Sequence, residues 1–585
     1  MSNNAATKII QRKLPVSIFD WNGHPLLHQL YASRGVSNEQ ELDLELKSLL
    51  SYQSLSNIDT AVEALYQVMQ AKEKLIIIGD FDADGATSTA LVMEIMQSFG
   101  HHNIDFLVPN RFDFGYGLSP QIVEVAAQQS PKLLLTVDNG IANHSGVVRA
   151  NELGIEVVIT DHHLPAETLP EAVAIVNPNL KNDKFPSKAL AGVGVAFYLM
   201  SALRAQLIKN NWFEENSIAV PNLANWLDLV AVGTVADMVP LDVNNRRLVA
   251  QGLKRIRLGR CRPGITSLLE LAKKNPHRVT AIDIGFGVGP RLNAAGRLED
   301  MSIGIKCLMA IDAIEARRLA VELDQLNLMR REIEAGMQQE ALKIVSEILE
   351  SDKTLSSNDL PDSLSLFHPE WHQGVVGLVA SRIKEKFHRP VFAFAKENSD
   401  LDTGILKGSG RSIPGIHIRD ALVWVDANYP ELIQKFGGHA MAAGLSLANN
   451  NLEQFTSALE EAVRVQLGNN EICNEIFTDG SLDDQFMNLE IAQLLADAGP
   501  WGQTFPEPEF EGVFSVIQQR IVGERHLKLV LESEQKTLID AIAFNIDPDI
   551  WQQAAEKVHC VYKVDINEFR GETKLQFLIG NIVRV

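Results

Sequence analysis

Three aspartates stand at alternate positions in the segment GDFDADG, directly after the apolar run KLIII. Asp80, Asp82 and Asp84 carry like charges, so their clustering is costly unless a cation neutralises them or they extend into water. An EF-hand calcium loop also begins Asp-x-Asp-x-Asp-Gly. However, it requires a Glu at position 12, where this chain has Leu91, and a preceding helix, where this chain has a strand pattern. The pattern excludes an EF-hand and leaves a metal site or a solvated acidic turn.

Further acids and imidazoles follow later apolar runs. Asp138 ends KLLLTVD, and Asp161, His162 and His163 end IEVVITDHH. If these runs are parallel strands, their carboxyl ends meet at one edge of a sheet, where ligands of open α/β sheets bind. A single strand-end Asp is more often a helix N-cap, but three such strand ends together indicate a metal site. Asp237, after the apolar run VAVGTVA, is a candidate for a further ligand.

The ligand types indicate which metal would bind. Carboxylates with imidazole and no thiolate favour Mn²⁺ or Mg²⁺ over zinc or copper. At least five acids and a histidine pair provide enough donors for two ions that share a bridging carboxylate. Two ions about 4 Å apart stabilise both the attacking and the leaving oxygen in phosphoryl transfer. Phosphoryl transfer is therefore the predicted chemistry.

The elements that would position these residues alternate between short apolar runs and helical segments. The apolar runs lie at 74–79, 104–109, 132–138, 155–161 and 172–178. This alternation predicts βαβ units and a parallel sheet covered on both faces. The apolar stretch 189–203 is shorter than the ~20 residues that a membrane helix needs, so a buried helix is expected there.

The second half of the chain suggests two further regions. Residues 305–335 contain neither Gly nor Pro and predict a long helix that connects two lobes. The polar stretch 351–363 marks a boundary, and a second α/β segment follows to about residue 465. After the Pro/Gly-rich joint at 499–512, five short strand patterns predict a small barrel such as an OB-fold.

Composition limits the compartment and the general mode of binding. The net charge of −21 gives no support for a surface coated with nucleic acid, although basic residues cluster at 253–262 and 290–300. Four scattered cysteines without a C-x-x-C pair argue against disulfides and a zinc knuckle, and favour buried, reduced thiols in a cytoplasmic protein. The N-terminus has no apolar h-region, so neither a signal peptide nor a membrane anchor is expected.

Several motifs carry a family resemblance. GDFDADG, TVDNG, TDHH and GTVADMVPL, in this order, resemble the four motifs of the DHH phosphoesterase superfamily. WHQGVVGLVASRIKEKFHRP, KGSGRS and GGHAMAAG resemble its DHH-associated domain. PRLNAAGRL, the long helix and the barrel narrow the resemblance to the bacterial exonucleases that degrade single strands from 5′ to 3′. The likeness covers nearly the whole chain from about residue 40.

The resemblance implies an architecture. A parallel-sheet DHH lobe would be joined by a long helix to a smaller α/β DHH-associated lobe, followed by a C-terminal OB-like β-barrel. The implied regions are an N-terminal segment packed on the core, the catalytic domain, the connecting helix, the substrate-binding domain and a nucleic-acid-binding barrel. In this order they cover 1–70, 71–300, 301–350, 351–465 and 466–585.

The resemblance also implies roles for individual residues. Two Mn²⁺ or Mg²⁺ ions would be held by the acids and one imidazole at the sheet edge, namely Asp80, Asp82, Asp84, Asp138, His162 and Asp237. Asp138 would bridge the ions, His163 would stabilise charge on the scissile phosphate, and Asp161 would orient the imidazoles. A metal-bound water, and no side chain, would attack.

The substrate-binding residues implied by the resemblance fall in three groups. The pocket for a 5′-terminal phosphate would contain Arg111, Ser409 and Arg411, with a glycine-rich turn at Gly437, Gly438 and His439 that approaches the anion. The path of the DNA strand would be lined by Arg291, Asn293 and Arg297. On the barrel, His526 and Lys528 would contact the backbone, and Trp501 and Phe505 would either stack on bases or pack between domains.

The implied activity is degradation of single-stranded DNA to 5′-mononucleotides in recombination, gap repair and mismatch repair. The implied partners of a monomeric enzyme are single-strand-binding protein and a RecQ-type helicase. A phosphodiesterase acting on nanoRNA or cyclic dinucleotides is one alternative, although such proteins resemble only the two catalytic lobes. A DNA-binding scaffold with a decayed metal site is another, although every motif acid is present here.

Overall fold

The structure is a computed structural model that describes residues 7–16, 19–109, 117–351, 360–397, 404–468, 470, 472–569 and 571–585. The chain divides into two compact units. One unit contains Gln11–Asp324 and Phe477–Val585, and the other contains the residues up to Ile10 together with Gln325–Ile476.

The described residues contain seventeen β-strands and eighteen α-helices. The strands are β1 (Thr7–Gln11), β2 (Leu75–Ile78), β3 (Ile104–Leu107), β4 (Leu133–Val137), β5 (Glu156–Thr160), β6 (Ala174–Val176), β7 (Leu364–Phe367), β8 (Val391–Lys396), β9 (Ile405–Arg411), β10 (Lys435–Gly438), β11 (Ala442–Ala448), β12 (Asn474–Thr478), β13 (Phe510–Val522), β14 (His526–Glu532), β15 (Leu538–Ala543), β16 (Lys557–Phe569) and β17 (Glu572–Arg584). The helices are α1 (Pro25–Ser33), α2 (Ile58–Ala71), α3 (Ala83–Ser98), α4 (Pro120–Ala127), α5 (His144–Glu152), α6 (Gly192–Lys209), α7 (Trp212–Glu215), α8 (Leu227–Ala236), α9 (Val243–Arg257), α10 (Pro263–Leu271), α11 (Ala281–Asp283), α12 (Gly289–Leu298), α13 (Ser302–Met309), α14 (Ala313–Ser351), α15 (Val376–Phe387), α16 (Ile418–Asn428), α17 (Leu452–Leu467) and α18 (Leu489–Asp497). A π-helical turn spans Ile284–Val288.

The predicted parallel sheet is present. Five strands lie in the order β3-β2-β4-β5-β6, and every neighbouring pair is parallel. All residues of β2 and β4 are buried, which requires cover on both faces of the sheet and explains why these strands are continuously apolar. The order brings the carboxyl ends of β2, β4 and β5 side by side.

The apolar stretch 189–203 forms the first part of helix α6, as expected. Most of its residues, from Gly192 to Leu203, are buried. Within the described residues, no helix combines the length and the apolar character needed to cross a bilayer.

The predicted helix over 305–335 is interrupted. Helix α13 ends at Met309, and the long helix α14 begins at Ala313 and continues to Ser351. The Asp312 carboxylate accepts a hydrogen bond from the Glu315 N–H at 3.0 Å, so Asp312 caps the start of a new helix. The boundary between the two compact units falls within α14, after Asp324.

The second unit is built around a mixed sheet in the order β10-β11-β9-β8-β7. β7 and β8 are parallel, and the other pairs are antiparallel. Phe392 and Phe394 on β8 contact Phe455 on α17 edge to face, with ring centroids 5.5 and 5.6 Å apart. The predicted second α/β segment is therefore a separate sheet with its own aromatic core.

The predicted barrel is closed, with strand order β13-β14-β15-β17-β16. Tyr562 on β16 stacks on Phe577 on β17 with ring centroids 4.0 Å apart, and both side chains are buried. Barrel closure leaves no unpaired sheet edge. Strands β13, β16 and β17 are each 13 residues long, so they are longer than the short strands expected from the sequence.

Two aromatic residues before the barrel pack inside the protein. Trp501 and Phe505 are 6% and 4% exposed and stack on each other with centroids 5.2 Å apart. Phe505 also stacks on Tyr31 of α1, and the Arg246 guanidinium lies 4.2 Å from its ring centroid. This burial favours domain packing over base stacking for both aromatic residues.

All four cysteines are free thiols. Cys307 and Cys560 are buried, and Cys261 is half-buried. Cys473 is exposed, so the expectation that all four are buried is wrong for this residue. It lies just before the short strand β12.

Candidate functional site

The strand-end residues converge at one edge of the parallel sheet. His162 Nε2, after β5, lies 3.2 Å from Asp138 Oδ1, after β4, and 3.4 Å from Asp237 Oδ2. Asp237 follows the buried helix α8, so its apolar run is helical and not a strand. Asp138 has a positive φ of 62°, which turns the chain sharply at the end of its strand.

Three overlapping groups of side chains are arranged to hold cations. In each group, one ligand atom per residue lies within 4.8 Å of the others. The groups are Asp138, His162 and His163; Asp84, His162 and Asp237; and Asp80, Asp82 and Asp138. Asp138 and His162 each belong to two groups. A carboxylate such as that of Asp138 can be shared between two ions, whereas the single lone pair of His162 Nε2 binds one ion. Oxygen and imidazole donors without a thiolate fit Mn²⁺ or Mg²⁺.

The three motif aspartates after β2 have different surroundings. Asp82 caps helix α3, because its Oδ1 accepts hydrogen bonds from the N–H groups of Asp84 and Gly85 at 2.9 and 3.0 Å. The Asp84 carboxylate accepts hydrogen bonds from Gly192 and Val193, at 2.6 and 2.9 Å. These two N–H groups begin α6, so the helix N-terminus supports the negative charge of Asp84.

Burial and the proximity of like charges raise the pKa values of three aspartates at the sheet edge. Burial, and then the charge of Asp82, raise the pKa of Asp84 to about 7. Burial and the charge of Asp84 raise the pKa values of Asp138 and Asp237 well above the ordinary aspartate value. The folded protein therefore holds these carboxylates close together against their mutual repulsion, and a divalent cation would relieve it.

Asp161 supports the second histidine. Its Oδ1 lies 2.7 Å from His163 Nδ1 and also accepts the N–H groups of His162 and His163. Burial alone would lower the pKa of His163, but the hydrogen bond and charge of Asp161 raise it to about 9. Burial alone would raise the pKa of Asp161, but its hydrogen bond and the charge of His163 lower it. This geometry agrees with an orienting role for Asp161.

Sequence reasoning missed two residues that support the histidine pair. Asn177 and Asn179 follow β6, and their side-chain amides donate to the carbonyls of His163 and His162 at 2.9 and 2.6 Å. The sequence contained a signal for both asparagines, because the apolar run before VNPN is a further predicted strand that ends at the same sheet edge. Gly192 and Val193, the donors to Asp84, had no comparable signal because they lie more than a hundred residues along the chain.

In the second unit, the half-buried Arg411 has no acidic partner among the described residues. Its Nη1 donates to Ser409 Oγ at 3.1 Å and to the Gly410 carbonyl at 2.8 Å, and burial lowers the pKa of Arg411. A methyl group at Gly377, in the first turn of α15, would lie 2.9 Å from Arg411 Nη2. The first N–H groups of a helix lack intrahelical acceptors, so an arginine and a helix N-terminus meet here.

The glycine-rich turn differs from its expected form. Gly437 and Gly438 belong to strand β10 and pair with Gly444 and Ala443 of β11. The His439 N–H donates to the Ala442 carbonyl at 2.8 Å, so the hairpin uses this backbone donor. The His439 N–H is therefore occupied, and the assignment of Gly437, Gly438 and His439 to an anion site stays a prediction.

The PRLNAAGRL segment forms helix α12. Arg291 is paired with Asp324 at 2.8 Å, and Asn293 accepts a hydrogen bond from the Ala83 N–H at 2.7 Å. Arg297 lies in the last turn of the same helix. The assignment of these three residues to the DNA path stays a prediction, as does that of Arg111, which lies outside the described residues.

On the barrel, the two residues predicted to contact DNA, His526 and Lys528, lie close to a further basic residue, Arg520. Lys528 on β14 is directly opposite Arg520 on β13, and His526 stands two residues before Lys528. Directly opposed like charges are destabilising, and neither cation has an ion-pair partner among the described residues. The outer face of β13 and β14 therefore presents a small cationic surface formed by Arg520 and Lys528, with His526 beside it.

Comparison with known proteins shows which family has this arrangement. Sequence profiles described as "DHH family, N-terminal domain", "DHHA1 domain" and "RecJ OB domain" match residues 74–234, 362–465 and 478–581. The chain is 57% identical over 560 residues to the single-stranded-DNA-specific exonuclease RecJ of Salmonella typhimurium, covering 95% of this chain and 96% of the relative. The chain belongs to the RecJ family. RecJ of Escherichia coli is 55% identical, with the same coverage.

Solved RecJ structures support the same assignment. RecJ of Thermus thermophilus in complex with Mn²⁺ has a TM-score of 0.78 and 28% identity, covering 99% of this chain and 80% of that one. The complex of the same protein with Mg²⁺ gives a TM-score of 0.74 and 26% identity, with 99% and 79% coverage. The DHH lobe, the DHH-associated lobe and the C-terminal barrel expected from the sequence are thus those of the RecJ fold.

Proposed function

We propose that this chain is a metal-dependent exonuclease that degrades single-stranded DNA from 5′ to 3′ and releases 5′-mononucleotides. The convergence of carboxylates and His162 in three overlapping groups carries the proposal. The names of the RecJ relatives, as single-stranded-DNA-specific exonucleases, support the substrate. The Mn²⁺ and Mg²⁺ complexes of the Thermus protein support the choice of metal.

The residues at the sheet edge have distinct tasks. Asp80, Asp82, Asp84, Asp138, His162 and Asp237 would hold two Mn²⁺ or Mg²⁺ ions. When bound, the ions would supply Lewis-acid activation of water and neutralise charge on the phosphate. His163, protonated at neutral pH because Asp161 raises its pKa to about 9, would donate a hydrogen bond to a phosphate oxygen. No side chain here is required as the nucleophile.

The direction of digestion is proposed from the substrate-binding unit. Arg411 has no acidic partner among the described residues, and it lies beside Ser409 and the first turn of α15. A half-buried guanidinium without an acidic neighbour favours an anion, and a terminal phosphate can accept two hydrogen bonds from it. The cationic surface on the barrel would bind the strand backbone through its phosphates. Cooperation with single-strand-binding protein and a RecQ-type helicase in repair and recombination is part of the same proposal.

The proposal can be tested by digesting DNA labelled at the 5′ or the 3′ end. Single-stranded and duplex substrates are compared, each with Mg²⁺ and with Mn²⁺. We expect mononucleotide release from the 5′ end of single strands only. Asp138→Asn should abolish hydrolysis while circular dichroism stays unchanged. Asp105→Asn, the same substitution on the edge strand β3 of this sheet, is the matched control and should retain activity. Hydrolysis that survives in Asp138→Asn, or that starts from the 3′ end, would contradict the proposal.

A further inference from the structure

Helix α12 contacts the segment that carries the three motif aspartates. The Asn293 Oδ1 accepts a hydrogen bond from the Ala83 N–H at 2.7 Å. Ala83 stands between Asp82 and Asp84 and is 1% exposed, so water cannot readily replace this acceptor. The contact joins positions that are 210 residues apart in the chain.

This hydrogen bond completes the start of helix α3. The first N–H groups of a helix have no intrahelical acceptor. Asp82 accepts those of Asp84 and Gly85, and Asn293 accepts that of Ala83. Without Asn293, the buried Ala83 N–H would lack a partner or would compete for the Asp82 carboxylate. Competition would move an oxygen that belongs to the metal-binding groups, and a buried N–H without a partner would destabilise the backbone between two of the metal-binding aspartates.

A second contact lies on the same face of α12. Gly296 is three residues after Asn293, and a Cβ there would lie 1.7 Å from the Phe81 carbonyl oxygen. Residues three apart share a helix face, so the Asn293 and Gly296 contacts fix one surface of α12 against residues 81–83. Only glycine allows this approach.

The far side of α12 is held as well. Arg291 donates through Nε to Asp324 Oδ1 at 2.9 Å and through Nη1 to the Gly287 carbonyl at 2.7 Å. The ion pair ties α12 to the first part of α14 within the same compact unit. The guanidinium therefore anchors α12 inside the protein.

We propose that Asn293 is a positioning residue for the metal centre, and that α12 braces the Asp80–Asp84 segment in its metal-binding geometry. The identity of the ions rests on the proposed function. The geometry of the brace does not, because Asn293 makes its contact with the protein backbone. A residue that contacts DNA would instead act on strand affinity.

Three variants of the full chain test the brace. Asn293→Leu removes the acceptor, and Asn293→Asp keeps it with the same shape. Asn488→Leu is the matched control, since Asn488 accepts the Ile491 N–H at 3.0 Å at the start of α18, away from the metal centre. Hydrogen exchange of the peptide containing Ala83, followed by mass spectrometry on metal-free protein, reports the backbone contact. Calorimetric titration with MnCl₂ reports metal affinity, and neither measurement depends on nuclease activity.

Asn293→Leu should increase exchange at Ala83 and weaken Mn²⁺ binding by about tenfold or more, as is typical when a residue that orients ligands is lost. Asn293→Asp should retain protection and at least the original affinity, and Asn488→Leu should change neither. If Asn293→Leu keeps both protection and Mn²⁺ affinity, the brace is refuted. If Asn293→Leu does not fold, Asn293→Asp decides alone, since loss of Mn²⁺ affinity with the acceptor present would also refute it.

Discussion

The charge on His163 should depend on Asp161, and this dependence gives a pH-specific prediction. Asp161→Asn preserves the size of the side chain but removes the negative charge that lies 2.7 Å from His163 Nδ1. With Asp161 present, the pKa of His163 is raised to about 9, whereas an unperturbed histidine has a pKa of 6.5. The substitution should therefore bring the titration of His163 down towards the unperturbed value.

The size of the effect follows from the two pKa values. At pH 8, a group with a pKa of 9 is about 90% protonated, and one with a pKa of 6.5 is about 3% protonated, a difference of roughly 30-fold. At pH 6 the corresponding fractions are about 100% and 75%. If protonated His163 stabilises the scissile phosphate, the loss of activity in Asp161→Asn should be roughly 20 times larger at pH 8 than at pH 6.

Two measurements test this dependence. Proton NMR of ring-labelled histidine in metal-free protein gives the pKa of His163, with His163→Gln identifying the signal. Hydrolysis of labelled single-stranded DNA at saturating Mn²⁺ gives the activity ratio of wild type to variant at each pH, and Asp105→Asn serves as the control. An equal ratio at pH 6 and pH 8 would refute the role of the His163 charge, even if the variant is much less active at both.

Four further predictions follow from the structure. Because the pKa of Asp84 is about 7 in the metal-free fold, its proton stabilises that fold at low pH and competes with metal binding. Mn²⁺ binding should therefore release protons, and Mn²⁺ affinity should increase from pH 6 to pH 8. Calorimetry in two buffers measures both effects, and an affinity that stays constant would contradict the prediction. Arg411→Met should raise KM for 5′-phosphorylated strands by about tenfold and leave 5′-hydroxyl strands nearly unchanged, whereas equal changes would exclude a phosphate pocket. Trp501→Ala should lower the free energy of unfolding by about 3–5 kcal/mol in denaturant titrations without changing the strand affinity of folded protein; the reverse result would favour base stacking. Lys528→Gln should weaken binding to every single-stranded sequence and reduce the slope of log K against log salt by about 1, and an unchanged slope would remove Lys528 from the interface.

The strand-end residues were predictable because topology decides their position. A parallel sheet brings the carboxyl ends of its strands to one edge, so a pattern of apolar runs followed by acids is enough to place Asp138 and His162 together. The same rule, applied to β6, would also have found Asn177. The interruption before α14 had a local signal as well, since Asp312 and Glu315 have the spacing of a capping box.

The supports from other helices could not be predicted in this way. Gly192 and Asn293 contact the Asp80–Asp84 segment from α6 and α12, and nothing in their spacing shows which N–H group or carboxylate they meet. Asn293 stands between two arginines in the sequence, so a DNA contact was the natural interpretation of its type and neighbours. The fold turns its oxygen towards a buried backbone donor, a contact that its type and neighbours did not indicate. Residue type can thus indicate that a polar side chain matters, whereas its role depends on the partner that tertiary packing supplies.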